Sequence, residues 1–219
     1  MVRHQVIGSG MLGSAFSLAR GTPDTIVYAA GTSNSSCTRQ SEFDRDRSRL
    51  TEALLRDVLF IYISTCSVED KPYTHHKLQM EELVKTRGDY LIVRLPIVAG
   101  RSTNPHTLLN LLYDRISRSE EFDLFVNARR NIIDVADVVT IVNWLARNLK
   151  FNETVNVAAP NDYSIMDIVR AMEQIIGKRA IFTSVDSGDS QIIDTRRIAD
   201  ADVDFSGDYL GRTLSRYYS

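Results

Sequence analysis

The stretch QVIGSGMLGSAFSLARGTPDTIVYAAGTS, residues Gln5 to Ser33, decides how this chain folds. A short apolar run meets Gly8-Ser9-Gly10-Met11-Leu12-Gly13, and a helical pattern follows at once. In that context each glycine has its own use. The first allows a tight turn, the second lets backbone approach a pyrophosphate, and the third lets helix pack on strand. N–H groups at the helix start then meet the phosphate charge. Gly8, Gly10, Met11, Leu12 and Gly13 are therefore candidate cofactor-binding residues. A dinucleotide fingerprint also expects Asp or Glu about 20 residues on, to bind the adenosine ribose. Here the next strand, TIVYAA (Thr25–Ala30), runs into Gly31-Thr32-Ser33-Asn34-Ser35-Ser36 with no acid, and Arg39 follows. Hydroxyls beside an arginine suit a ribose 2′-phosphate, so NAD and NADP both stay open.

Outward from this stretch, β-branched apolar runs alternate with helical patterns. Residues 2–8, 25–30, 59–64, 90–96, 122–127, 155–159 and 180–185 read as strands. Several are apolar throughout, which suits strands covered on both faces. Helices are expected near Met11–Arg20, Ser41–Asp57, Thr74–Arg87, Pro105–Glu120, Val135–Leu149 and Ile165–Ile176. Such alternation predicts an α/β fold, a Rossmann-like doubly wound and mostly parallel sheet. Asp134 with Asp137, and Ser164 with Asp167, have capping-box spacing at two helix starts, and Gly177 stands where a helix would stop. With no repeat and no low-complexity linker, residues 1–219 read as one domain. Residues 1–100 form mainly a cofactor and catalytic half, and 101–219 mainly a substrate-side half.

Composition narrows the function classes. Lys plus Arg is 26 and Asp plus Glu is 28, a net charge of −2, so no basic excess points to nucleic acid. No long apolar segment suggests a membrane partner or a signal peptide. Two cysteines, Cys37 and Cys66, form neither a disulfide framework nor a metal cluster, which suits a reducing, cytoplasmic setting. His75 and His76 read as helix-face residues, because no partner ligand stands at metal spacing.

Several segments in order carry a resemblance. After the glycine loop comes TIVYAAGTS, then YISTCSV, PYTHHKLQMEELV, LIVRLPIVAG, RRNIIDVADVV and VNVAAPNDYSIMDIV. Together they resemble the short-chain dehydrogenase/reductase superfamily, and within it the extended NAD-dependent epimerase/dehydratase family that modifies nucleotide sugars. The resemblance implies that Tyr73 and Lys77 are the catalytic Tyr-x-x-x-Lys pair and Thr65 the third member, with Ser64 and Ser67 as fallbacks. It places Ala29, Ala30, Gly31 and Lys77 beside the cofactor, and Ser64, Cys66 and Arg130 toward a nucleotide-sugar substrate. It also implies a homodimer through the second and third helices, with Leu50, Leu54, Leu78 and Leu83 at the contact. In physical terms, an unperturbed tyrosine with pKa of about 10 is a poor base at neutral pH. A lysine ammonium one turn away, and the charge of an oxidised nicotinamide, would favour its phenolate.

Two departures from the family pattern stand out. The gap from Gly13 to Thr25 has room for one helix and a turn. Family members place two further strand-helix units there, and those units cradle the adenosine. Either TIVYAA is the later strand with two units missing before it, or it is the second strand with material lost after it. Its AAG ending and the helix that follows favour the first account. Beside the hydroxyl residue, Thr65-Cys66-Ser67 also lacks the acidic pair of a dehydratase, which favours an epimerase or keto-reductase. A non-catalytic nucleotide-binding or regulatory protein is the competing expectation.

Overall fold

The computed structural model describes residues 5–19, 21, 24–148 and 151–219. The outer end of the expected first strand (residues 2–4), Arg20 and Leu149 lie outside the described residues. In chain order the elements are β1 (Gln5–Ile7), α1 (Met11–Leu18), β2 (Thr25–Tyr28), α2 (Gln40–Ala53), β3 (Leu59–Thr65), α3 (Pro72–Lys85) and β4 (Tyr90–Leu95). There follow β5 (Ile97–Ala99), α4 (Leu108–Arg118), β6 (Phe122–Phe125), β7 (Arg129–Asp134) and α5 (Val135–Asn148). The last are β8 (Glu153–Asn156), β9 (Asp162–Ser164), α6 (Ile165–Ile176), β10 (Phe182–Val185) and α7 (Tyr209–Tyr218).

These elements form two compact units. The first comprises Met1–Leu95, Val135–Val157 and Arg196–Asp202. Its sheet runs in the order β1-β2-β3-β4-β8, and every pairing is parallel. β2 is buried along its whole length and β3 nearly so, as expected for strands covered on both faces. Ile26, Tyr28, Phe60, Tyr62 and Ile92 point to one face, where they pack with Leu50 and Ala53 of α2 and Met80 and Val84 of α3. The alternate residues Val27, Ile61 and Val93 are also fully buried. Cover on that second face falls to the unit's remaining helices, α1 and α5, which pack on each other.

The helix faces decide between the two accounts of the short N-terminal region. From β1 to β2 to β3 the chain steps across the sheet in one direction. Two right-handed crossovers would therefore put α1 and α2 on the same face. They lie on opposite faces, so one of the two connections has the rare hand. Helices α2 and α3 serve successive strand-helix-strand steps on one face, which makes the α1 connection the odd one. Two further strand-helix units on the far side of β1 would give every step the common hand. The topology thus supports β2 as the later strand, reached after a deletion. Among the described residues β1 pairs only with β2, and this edge strand is three residues long. A short edge offers little to a stray strand.

The second unit comprises Pro96–Asp134, Ala158–Thr195 and Val203–Ser219. It holds the sheet β5-β7-β9, in which β7 and β9 are antiparallel, and the parallel pair β6-β10. Leu109, Leu112 and Ile116 of α4, Ile168 and Met172 of α6, and Leu210 and Leu214 of α7 share its core. The capping box at α6 is present: Ser164 Oγ accepts from the Asp167 N–H at 3.0 Å, and Asp167 Oδ2 accepts from the Ser164 N–H at 3.1 Å. Gly177 closes the helix in the left-handed region, φ 72°.

Asp134 does more than sit at a helix start. Its carboxylate, 1% exposed, accepts from Arg216 and Tyr217 of α7, both at 2.6 Å, and its N–H donates to the Tyr209 hydroxyl. Asp134→Ala is expected to destabilise the protein by about 2–3 kcal/mol, the scale of a lost charge-assisted bond. Limited proteolysis should then cut first around α7.

Candidate active site

The glycine loop is built as the sequence suggests. Gly8 has φ +134°, and a Cβ there would lie 2.4 Å from the Ala29 carbonyl oxygen. A Cβ on Gly13 would lie 2.3 Å from the Gly8 carbonyl oxygen. Both must be glycine because the loop, α1 and the end of β2 are in backbone contact. Gly10 is different: a Cβ there would meet nothing within 4 Å. It caps α1 with no side-chain hydrogen bond, and the first turn carries no acid. Met11 and Leu12 form that turn, both part-exposed. An accessible glycine at an uncapped helix start fits a dinucleotide pyrophosphate. At the adenosine end the described residues supply no strand beyond β1 to form a wall.

β3 and α3 bring the expected catalytic residues together. Thr65 ends β3, and Pro72 at the first position of α3 sets its direction, which puts Tyr73 in the opening turn. Thr65 lies close enough to Tyr73 for its hydroxyl to favour the phenolate. Thr65 Oγ1 also accepts the Ser67 N–H at 3.1 Å, which fixes its rotamer, while Ser67 Oγ lies 3.4 Å from Thr74 Oγ1. Ser67 is therefore engaged with its own loop. One turn on, Lys77 is 4% exposed and donates to the Ile63 carbonyl at 2.8 Å. Its ammonium lies over the Tyr62 ring, 4.5 Å from the centroid. A Cβ on Gly31, which follows Ala29 and Ala30, would stand 3.2 Å from Lys77 Nζ.

The electrostatics differ from expectation. Burial pushes the Tyr73 phenol up to about 12; the Thr65 hydroxyl opposes this and the Asp46 carboxylate adds to it. Lys77 itself is brought down to about 8, chiefly by burial, against the pull of Asp46 and Glu81.

Other expected site residues are committed elsewhere. Ser64 is buried and donates to Glu81 Oε1 at 2.5 Å, so its hydroxyl belongs to a structural cluster. Glu81, 1% exposed, also takes Arg94 through Nε at 2.9 Å and through the second nitrogen at 2.5 Å. Cys66 is 6% exposed, and burial pushes its thiol up to about 12, which removes it as a thiolate. In the second unit Arg130 bonds Asp189 Oδ1 at 2.8 Å, and Arg129 pairs with Asp162 at 3.0 Å. Leu50 is wholly buried in the core of its own unit, and of the four leucines expected at a dimer contact Leu78 is 43% exposed. Nor is His76 on a solvent face. It is 4% exposed and bonds Asp46 Oδ2 at 2.9 Å, whereas His75 pairs with Asp70 at the surface. Asp46 was not foreseen, because nothing in its own stretch of α2 points to a partner on α3.

Comparison with known proteins agrees with this fold. Among solved structures, the chain is similar to UDP-glucuronic acid 4-epimerase from Bacillus cereus in complex with UDP-glucuronic acid and NAD. That match has 18% identity and a TM-score of 0.70, over 89% of this chain and 74% of that one. It is also similar to RMD from Pseudomonas aeruginosa complexed with NADPH, with 18% identity and a TM-score of 0.74, over 98% and 95% of the two chains. UDP-glucose 4-epimerase from Thermotoga maritima with UDP-glucose matches at 20% identity and a TM-score of 0.68, over 88% and 76%. No helix among the described residues is long and apolar enough to cross a membrane. The model of the NAD dependent epimerase/dehydratase family matches residues 14–158, which span the Ala29–Gly31 turn and the Thr65, Tyr73 and Lys77 constellation. The chain belongs to that family.

Proposed function

We propose that this protein is an NAD(P)-dependent enzyme acting on a nucleotide-linked sugar, as an epimerase or keto-reductase. The observation that carries this reading is Thr65 at the end of β3 beside Tyr73 in the opening turn of α3, with Lys77 buried one helical turn on. Bound nicotinamide dinucleotide would supply hydride transfer. Gly10 and the start of α1 would hold its phosphates, with Lys77 and the Ala29–Gly31 backbone at the nicotinamide ribose. Tyr73 would move the proton at the reacting sugar oxygen, and Thr65 would hold that oxygen beside the phenol. The absence of an acidic pair beside Thr65 makes a dehydratase the less favoured reaction. One observation favours a non-catalytic nucleotide-binding role instead: the sheet stops at β1 among the described residues, on the side where adenosine would lie.

The test is mass spectrometry of nucleotides released from the denatured protein, followed by titration with NAD, NADH, NADP and NADPH. Gly10→Val is the informative variant. The space around Gly10 is open, so the fold should keep its melting temperature while dinucleotide affinity falls at least tenfold. No binding of any of the four by the folded wild type would remove the enzyme reading.

A further inference from the structure

Behind Lys77 lies a buried carboxylate that this chemistry does not use. Asp46, on α2, is 5% exposed. Its Oδ1 accepts the Tyr28 hydroxyl at 3.0 Å, and its Oδ2 accepts the Thr32 N–H at 3.3 Å besides the bond to His76 Nε2 at 2.9 Å. His76 immediately precedes Lys77 on α3, and its ring stacks on Phe43 with centroids 4.5 Å apart. Gly31 shows where the two charges meet. The point a Cβ would occupy there is 3.2 Å from Lys77 Nζ and 3.4 Å from Asp46 Oδ2. Ammonium and carboxylate thus face each other across the side of residue 31 that has no side chain.

The remaining groups around the ammonium leave Asp46 as its main partner. From β3 come the Ile63 carbonyl and the Tyr62 ring, whose buried hydroxyl has no hydrogen-bond partner. From β2 comes Tyr28, already bonded to Asp46. On α3 itself stand Tyr73 and Glu81, and Glu81 is committed to Arg94 and Ser64. An unpaired ammonium this deep would shed its proton, and a carboxylate within about 4–6 Å is the usual remedy.

We propose that Asp46 is the counter-ion and positioning residue of Lys77, and that His76 and Tyr28 orient Asp46 for that role. A cation at the nicotinamide ribose, which the proposed function requires of Lys77, would then depend on a residue from a different helix. The inference takes its purpose from that function, but its test does not need a cofactor. The alternative is a structural staple in which the Asp46–His76 bond only joins α2 to α3. A staple would affect stability and leave the titration of Lys77 where it was.

The experiment is a pH titration of lysine-selectively 13C-labelled protein by NMR, with Lys77→Met assigning the Lys77 signal. Burial and the two carboxylates together put Lys77 near 8. In Asp46→Asn its midpoint should fall, with a tenfold or larger rise in the acid dissociation constant, roughly the lower bound for a close charge. An unmoved midpoint in the folded variant overturns the proposal. Should Asp46→Asn fail to fold, linkage gives the reciprocal measurement: in Lys77→Met the Asp46 carboxyl must titrate higher by the same factor. An Asp46 midpoint unaffected by Lys77→Met is equally fatal. Failure of the wild type to bind dinucleotide would remove the functional reading and leave these shifts intact, so the two failures can be told apart.

Discussion

Tyr73→Phe is expected to lower turnover by about 10²–10⁴-fold, the usual loss when a positioned general acid/base is removed. Dinucleotide affinity should change little, because the substitution keeps the ring and removes only the hydroxyl. The split matters: a loss in the dissociation constant with turnover preserved would place Tyr73 in binding and not in proton transfer. A pH profile gives a second check. With the phenol pushed up to about 12 by burial, Tyr73 carries its proton throughout the neutral range. Ketone reduction, which needs a proton donor, should therefore be flat over roughly pH 5 to 7, below the titration of Lys77 near 8. Oxidation of a sugar hydroxyl needs the phenolate, so its rate should climb about tenfold per pH unit over the same range. Reversal of these two slopes would exclude Tyr73 as the proton carrier.

Arg94→Met should destabilise the folded protein by about 3–5 kcal/mol, the range for breaking a buried ion pair on one side only. Glu81 is the reason. Its carboxylate is 1% exposed and is held by Arg94 and Ser64 alone among the described side chains. Without the guanidinium it must either stay charged in the interior or take up a proton. Urea denaturation of Arg94→Met, Glu81→Gln and the double variant separates the contributions. The double variant should recover much of the loss, because no charge is then left unmatched. Equal destabilisation of the single and double variants would mean that packing of the Arg94 stem, and not charge, dominates.

The elements that the sequence makes legible are those with a long local signal. β2, β3 and β4 are built on long apolar runs, and the Ser164–Asp167 box and Gly177 mark both ends of α6 within a few residues. β5 and β9 are three residues each, too short for a period to show, and α7 has a polar composition that its four buried residues redeem only in three dimensions. β7 stayed hidden because RRNIID is charged at one end and buried at the other. The nearness of Thr65, Tyr73 and Lys77 is readable because they lie on one strand and the following helix. Ser64 was read toward substrate and belongs to Glu81, seventeen positions away. Asp46 and His76 are thirty positions apart, and neither residue's own stretch of sequence announces the other. What sequence reading missed is pairing between elements, where the identity of a partner depends on register and not on composition.

The odd hand of the α1 connection has a consequence for engineering. Helix α1 ends at Leu18 on one face of the sheet, and the next strand, β2 from Thr25, serves the pair of helices on the other face. Helix α1 contacts β1, so chain inserted after it would emerge beside the edge that β1 forms among the described residues. Two grafted strand-helix units inserted there would extend the sheet beyond β1 and turn the exceptional step into a series of ordinary ones, with β2, β3 and β4 left in their present register. Modularity in this fold is therefore concentrated at one seam. The rest of the sheet serves as a fixed base on which a missing wall can be rebuilt.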